Sequence, residues 1–512
     1  QANAHPHYAT DRAVVLAHNG IVENFAELKK EFIKKGYRFV SETDTEVIVR
    51  LIEEKRKTTK TLLEATRLAF KELEGRNTII LLTRDGEIIA ARNGSPLIVG
   101  ERENFTETYI SSDTLSFASH VDRIIVLNNG QMVYCYDRKV RLLDIETGKS
   151  SRYELEKNGI SDGKINKEGY PHFMLKEIYD EPFVVRRVID QPAEDLERLA
   201  QAIKKARTVY CVGSGTAGAA AAQISYYLRI YGKIPAVGLI GAECRDYYDL
   251  IEENDILIAP SQSGETADVL EVLEHAKRKG ATIASFVNMP GSMITRMSDF
   301  EFMAKAGPEI CVMSTKIFMS QLAWGYLVAK TVQQNMEEAK QQLSKLSDHI
   351  DHFLHDKNVI RNINRLAKVL SHKSHIFLLS KGQNLQIIKE GMVKIIEGSY
   401  VHAHAIPAGD LKHYAITLME PGIPVIVVVS NDFVKTDVLT AMNEVKARGV
   451  DIIGIASGRE EGFDTYVPVP DLGEVSAMMN IVPLQILAYQ LAQELGHNVD
   501  KPRNIAKSVT VK

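Results

Sequence analysis

Pro260-Ser-Gln-Ser-Gly-Glu-Thr266 stands between an apolar run, Ile256-Leu-Ile-Ala259, and a helical pattern from Ala267 to Lys279. The stretch therefore reads as a strand-to-helix turn, with three hydroxyls and a glycine where a helix begins. The first amides of a helix have no partner within it and carry the positive end of its dipole. Ser261, Ser263 and Thr266 add donors to that nest, while the lysine of a nucleotide P-loop is missing. The turn is either a seat for the phosphate of a small metabolite or a serine-rich helix cap. The residues of the turn alone leave both readings open.

Around this turn the second half of the chain repeats itself. Gly213 and Gly382 each follow a strand, Thr208–Cys211 and His375–Leu379. Ser261 and Ser430 each follow an apolar strand, and Gly280 and Gly449 each close a helix. All three pairs are 169 residues apart, and Asp268-Val-Leu falls on Asp437-Val-Leu at the same spacing. Strands alternating with helices of 10–15 residues are the pattern of a parallel sheet covered on both faces. Two α/β domains made by duplication are expected, at 191–345 and 355–497, followed by a basic tail at 498–512. Residues 1–155 read differently, as strands and hairpins with one strong helix at 24–36. Asp85-Gly86 and Asn129-Gly130 are read as hairpin turns. Residues 156–190 are expected to link the two halves, with a helical segment opening at Tyr170.

Composition narrows the function. At 512 residues the chain holds about three or four domains by length. Its net charge is −4, from 62 Lys+Arg against 66 Asp+Glu, so it carries no global footprint for nucleic acid or membrane. Its four cysteines, Cys135, Cys211, Cys244 and Cys311, form no CxxC pair, which argues against zinc and disulfides and for a reducing, cytoplasmic compartment. No apolar run approaches the ~20 residues of a membrane span.

Other stretches are ambiguous by themselves. Gly213-Ser-Gly-Thr-Ala-Gly218 matches the dinucleotide fingerprint, but residues 219–242 contain no Asp or Glu to hold a ribose. A glycine turn approaching a sugar phosphate, or tight packing, fits better than NAD. Glu390, Lys394 and Glu397 share one helix face. They form either a solvated ion-pair face or part of a site in the crevice of an α/β sheet; the neighbouring Gly391, Gly398 and Ser399 are poor for an ordinary exposed helix. His402, His404 and His413 lack the i, i+4 pairing and carboxylate of a metal site. Lys507 lies in a tail with little periodicity, the usual place for a frayed end. His18 to Asn24 reads as a turn, and Ser41 to Glu46 as a helix cap.

Taken together, these stretches resemble the glutamine–fructose-6-phosphate aminotransferases, or glucosamine-6-phosphate synthases. The likeness runs through Asn3-Ala-His-Pro-His7, HNGIVEN at 18–24, FVSETDTEV at 39–47, HFMLKEIYDEP at 172–182, SQSGETADV at 261–269, STK at 314–316, AGDLKH at 408–413 and PRNIAKSVTV at 502–511. The resemblance implies a partial N-terminal-nucleophile (class II) glutaminase domain followed by two SIS-type α/β/α parallel-sheet domains. It implies that Ser261, Gln262, Ser263 and Thr266 hold a sugar phosphate, with Ser214, Thr216, Val312, Ser314 and Ala506 lining the pocket. Lys507 would form a Schiff base with C2 of fructose 6-phosphate, Glu397 would move a proton between C1 and C2 beside Lys394 and Glu390, and His413 would open the sugar ring from the neighbouring subunit of a homodimer. Asn19 and Gly20 would supply an oxyanion hole, and Asp44 would grip the amino group of glutamine. The tail would close over the site, an internal channel would carry ammonia, and no metal or cofactor is implied.

The chain departs from that family in places. The cysteine nucleophile, the arginine strand that holds the glutamine carboxylate and the tryptophan after it do not occur in residues 1–512, and Gln1 aligns well inside the first domain. Either an opening segment lies upstream or the glutaminase is inactive. Gly215-Thr216 stands where the family carries Thr-Ser, and Tyr414-Ala415 where it has Gly-Pro; both bear on which sugar is taken. Three functions are compatible with these residues: the complete aminotransferase, an ammonia-using sugar-phosphate isomerase or deaminase, and a sugar-phosphate sensor. Glu397, His413 and Lys507 together argue against the sensor, which needs no Schiff-base lysine.

Overall fold

The computed structural model describes residues 2–112, 116–157 and 166–507. The chain forms two compact units, one chiefly of residues 1–165, the other of residues 166–264 and 269–507.

The first unit is built on a seven-stranded antiparallel sheet with the order His7–Tyr8, Val14–Gly20, Asn77–Thr83, Ile88–Asn93, Gln131–Tyr136, Lys139–Asp144, Ser150–Ser151. Leu16, Ile79, Leu81 and Ile89 on one face bury against Val47, Ile48 and Leu51 of the helical layer. Ala90, Val133 and Cys135 on the other face meet Val99 and Ile125 of a four-stranded antiparallel sheet. Three helices occur where the sequence reading gives one strong helix: Phe25–Lys34, Thr45–Arg56 and Leu62–Lys71. The last starts where cap chemistry directs, with the Thr61 hydroxyl accepting from the amide of Glu64 in a Thr-x-x-Glu box. Ahead of Thr45–Arg56 the Glu46 carboxylate instead accepts from the amides of Val40 and Ser41 in the preceding loop. A second difference concerns turns. Asn129-Gly130 does not join paired strands, because Arg123–Val126 belongs to the small sheet and Gln131–Tyr136 to the large one. The paired strands Gln131–Tyr136 and Lys139–Asp144 turn instead at Asp137 and Arg138, both at positive φ (47° and 59°). Neither is glycine, so the turn carries no strong signal in the sequence.

The second unit contains two five-stranded parallel sheets. In chain order the strands of the first are Val209–Gly213, Ala236–Ile240, Ile256–Ser261, Thr282–Val287 and Phe300–Met303. Those of the second are His375–Ser380, His402–Pro407, Pro424–Val429, Asp451–Ala456 and Thr465–Pro468. Both sheets have the spatial order 2-1-3-4-5. Their central strands, such as Pro-Val-Ile-Val-Val-Val at 424–429, are apolar throughout and buried throughout, as a sheet covered on two faces requires. One continuous core links the sheets through Ile224, Tyr227 and Trp324 on one side and Ile388, Leu484 and Leu487 on the other. Residues 173–189, expected within the linker, form the helices Phe173–Tyr179 and Glu181–Ile189, and Met174, Ile178, Val184 and Val185 are buried in that core. Among the described residues one helix, Gly473–Glu494, is long and apolar enough to cross a membrane, and nearly all of it is buried inside the unit. All four cysteines are buried free thiols.

Candidate active site

In a 2-1-3-4-5 sheet the connections leave in opposite directions from the first and third strands, and a crevice opens beyond their carboxyl ends. In the first sheet these strands end at Gly213 and Ser261. Gly213 has no room for a side chain, since a Cβ would lie 2.3 Å from the Ala217 carbonyl oxygen. Gly215, at φ +58°, turns the chain into the helix Thr216–Ile230. On the opposite lip the Ser261 hydroxyl accepts from the amide of Gly264 at 2.9 Å. Gly264 is itself at φ +68°, with Ser292 Oγ 2.1 Å from where a Cβ would stand. The turn thus offers backbone amides and the side chains of Gln262 and Ser263, both half-buried. Ser214 Oγ is buried with no hydrogen-bond partner among the described residues, an unused donor at the mouth of the crevice.

On the helix Leu385–Ser399 two of the face-sharing trio, Glu390 and Lys394, are buried and Glu397 is half-buried, so this is not a solvated ion-pair face. Lys394 and Glu390 are each 1 % exposed. Lys394 Nζ lies 2.6 Å from Glu397 and 3.3 Å from Glu390, and donates to the Thr216 hydroxyl at 3.3 Å, while that hydroxyl donates to Glu390 at 2.9 Å. Thr216 opens the helix after the glycine turn, so the lip of the first sheet and a helix of the second share one polar cluster. Burial lifts the Glu390 carboxyl to about 7 despite the ammonium beside it. Burial alone would lower Lys394, but the two carboxylates outweigh it and hold the amine protonated.

A second buried cluster forms around the tail. Asp500 accepts from the amides of Phe173 and Met174 at 3.0 and 2.9 Å, fixing the tail to the start of a helix. The Arg503 amide donates to the Tyr400 hydroxyl at 2.9 Å, and its guanidinium lies 4.1 Å from the centre of that ring. Four residues on, Lys507 Nζ donates to Glu309 at 2.5 Å and to the Cys311 carbonyl at 2.6 Å. Glu309 also accepts from the Ser314 hydroxyl and the amides of Thr315 and Ile317. The amide of Val312 donates to Asp500. Lys507 is thereby brought beside Val312 and Ser314, and the sequence reading of a frayed end does not hold. Ala506 is exposed next to it, and His413 is exposed on the one-turn helix Leu411–His413.

Sequence reasoning missed Glu309 and Glu177. Glu177 is buried on the other side of the same loop, where one oxygen accepts from the amides of Ile310 and Cys311 and the other has no partner among the described residues. Burial, then the Glu309 charge, push its carboxyl up to about 8. For Glu309 burial acts in the same direction, but the Lys507 ammonium and the hydrogen bonds from 315 and 317 prevail and keep it below the ordinary carboxylate range.

In the first unit, Asn19 and Gly20 end the strand Val14–Gly20. Gly20, at φ +154°, has the Arg76 carbonyl oxygen 2.3 Å from a would-be Cβ, so no larger residue fits. Asp44 accepts from the amide of Val22 at 2.8 Å, which brings it alongside that strand end. Beneath them His18 bridges Thr45 and Asn77 at 3.1 and 2.9 Å, and burial lowers its basicity.

Known proteins match both units. Residues 1–124 match the glutamine amidotransferase domain family, and residues 202–331 and 369–492 each match the SIS domain. The chain is 36 % identical to the isomerizing glutamine–fructose-6-phosphate aminotransferases of Thermococcus kodakarensis and Pyrococcus horikoshii, over 99 % of its own length and 86 % of theirs. Among solved structures it resembles the C-terminal domain of glucosamine-fructose-6-phosphate aminotransferase from Francisella tularensis, with 30 % identity and a TM-score of 0.58 over 66 % of this chain and all of that one. An amidotransferase sequence followed by two parallel SIS sheets, matched along nearly its whole length, places the chain in the isomerizing glutamine–fructose-6-phosphate aminotransferase family.

Proposed function

We propose that the chain converts fructose 6-phosphate and glutamine into glucosamine 6-phosphate and glutamate, with the sugar chemistry carried out in the SIS unit. The observation that carries this reading is Lys507. A tail residue with no structural work to do would point into water; this one is drawn into an acidic, largely buried pocket beside Val312 and Ser314. A lysine amine held close to its carbonyl and partly desolvated forms a Schiff base readily.

The remaining roles are those the family resemblance implies for these residues. The sugar phosphate sits on the amides and hydroxyls of the 261–266 turn, with Ser214 and Thr216 on the facing lip. Lys507 attacks C2 once the ring is open, and His413 opens the ring from the partner in a homodimer. Glu397 takes a proton from one of C1 and C2 and returns it to the other, a general-base task. Lys394, 2.6 Å away, steadies the Glu397 carboxylate, and Glu390, 3.3 Å from the same ammonium, has its carboxyl raised by burial. In the first unit Asn19 and Gly20 stabilise the oxyanion formed from glutamine, and Asp44 binds its amino group.

The test is product formation from fructose 6-phosphate with glutamine in one reaction and ammonium in another, for the wild type and Lys507→Ala. Wild type should form glucosamine 6-phosphate from at least one nitrogen source, and K507A from neither, with sugar-phosphate affinity largely kept. Product from ammonium alone would assign this chain a working isomerase half without glutaminase activity. Undiminished turnover in K507A would remove the Schiff-base role.

A further inference from the structure

Lys507 is paired with a carboxylate that nothing in the proposed reaction has yet used. Glu309 has no exposed surface, and its two oxygens do separate jobs. One accepts from the Ser314 hydroxyl and the amides of Thr315 and Ile317, which satisfies the unpartnered start of the helix Lys316–Val332. The other, among the described residues, accepts from Lys507 Nζ alone. Capping that helix needs one oxygen and no charge. The second oxygen is therefore surplus to the fold and costly to bury unless its charge is used.

The surroundings suit a group that passes a proton. Glu177 faces the same loop, with one oxygen on the amides of Ile310 and Cys311. Lys316 lies 3.0 Å from Asp180 and is taken up by it. Glu181 is fully buried, and burial raises its carboxyl well above the ordinary range. Burial with the neighbouring negative charge leaves Glu177 protonated. Glu309 is then the ionised carboxylate in contact with the amine, and the Lys507 side chain is still 22 % exposed and open to a substrate.

We propose that Glu309 is the proton carrier of Lys507, taking the proton that frees the amine and delivering it to the oxygen that leaves C2. The inference rests on the reading of Lys507 as the Schiff-base lysine. The Lys507 ammonium gives one proton to the Glu309 carboxylate, and the freed nitrogen pair attacks C2 while the carbonyl π pair moves to oxygen. Glu309 returns the proton to that oxygen, leaving a protonated carbinolamine and a carboxylate. It then takes a proton from nitrogen and gives it to the hydroxyl. Water departs with the C–O pair as the nitrogen pair closes the C=N bond. The pocket ends as it began, with one cation, now an iminium, against one carboxylate, and no other reactant is consumed.

The test is reductive trapping with borohydride and fructose 6-phosphate, following the label on the peptide containing Lys507 by mass spectrometry. Wild type should label at Lys507. Glu309→Gln keeps the oxygen that caps the helix, so it should fold and bind the sugar phosphate within a few-fold of wild type while labelling about 100-fold more slowly, the lower range for a positioned proton carrier. Labelling of E309Q at the wild-type rate would overturn the inference and leave the Schiff base standing. No label on wild-type Lys507, with K507A still active, would overturn the reading beneath it. If E309Q does not fold, Glu309→Asp carries the test, because it keeps the charge but withdraws the oxygens by one methylene. Slower labelling of E309D at unchanged affinity supports the proposal, and wild-type labelling rejects it.

Discussion

A buried charge declares itself through what happens when its partner is removed. Lys394 is the single ammonium between Glu390 and Glu397, so Lys394→Met strands both. Breaking such a pair costs about 3–5 kcal/mol, and the loss should grow above pH 7, where Glu390 ionises. Denaturant unfolding of K394M at pH 6 and pH 8 checks both the size and the direction. Glu177 predicts an opposite kind of pH response to an ordinary ion pair. Its carboxyl, ordinarily near 4.5, is lifted to about 8 in the fold, so between these values the folded chain holds a proton that the unfolded chain has lost. Stability must then fall as pH rises through that window, by on the order of a few kcal/mol in all. Glu309, shifted down, adds no slope there because it is ionised in both states. Glu177→Gln should show a shallower fall of melting temperature between about pH 5 and 8 than the wild type. These residues mark the limit of sequence reading. Glu390, Lys394 and Glu397 were visible as a helix face, and only burial distinguishes a site from a surface. Glu309 and Glu177 are lone acids whose partners lie 198 and 133 residues away, and no local spacing announces them.

The strand-to-helix turns carry the fold's chemistry because they are stiff. At Gly264 a side chain would meet both a positive φ and the Ser292 hydroxyl. Gly264→Ala should cost about 1–3 kcal/mol for the backbone alone, plus the clash, and raise the KM for fructose 6-phosphate more than it lowers kcat. Adding Ser292→Ala should recover only the part due to the Oγ contact, because the Ser292 Cβ would still lie 2.6 Å away; a double-mutant cycle measures that part. This turn was legible from residue types in sequence, since Gly and hydroxyls between an apolar strand and a helix permit few alternatives. The hairpin at Asp137 and Arg138 was not, because residues that tolerate positive φ without being glycine leave no trace. Asn129-Gly130 misled for the converse reason: the dipeptide specifies a tight turn, but which strands flank it is settled by the two sheets.

At the scale of the whole molecule, duplication was readable because the 169-residue spacing preserved punctuation: glycines, serines and helix ends. It could not show that the two sheets share one core, which arises from side chains meeting across that separation. That core lies within residues 166–507, so a fragment of residues 166–512 should fold without the first unit. Expressed alone, it should unfold cooperatively at one of two transitions seen for the full chain and keep ammonium-dependent activity. Non-cooperative melting would mean that the second unit depends on the first.

Arg503 is exposed, yet its amide is bound to the Tyr400 hydroxyl and its guanidinium covers that ring. Lys507, the proposed Schiff-base lysine, comes four residues later. Hydrolysis of one peptide bond, that following Arg503, would therefore detach that amine while leaving both parallel sheets and their common interior covalently whole. On the proposed role the pocket would become a receptor that no longer reacts, and proteolytic sensitivity at this bond would report how firmly the tail is seated.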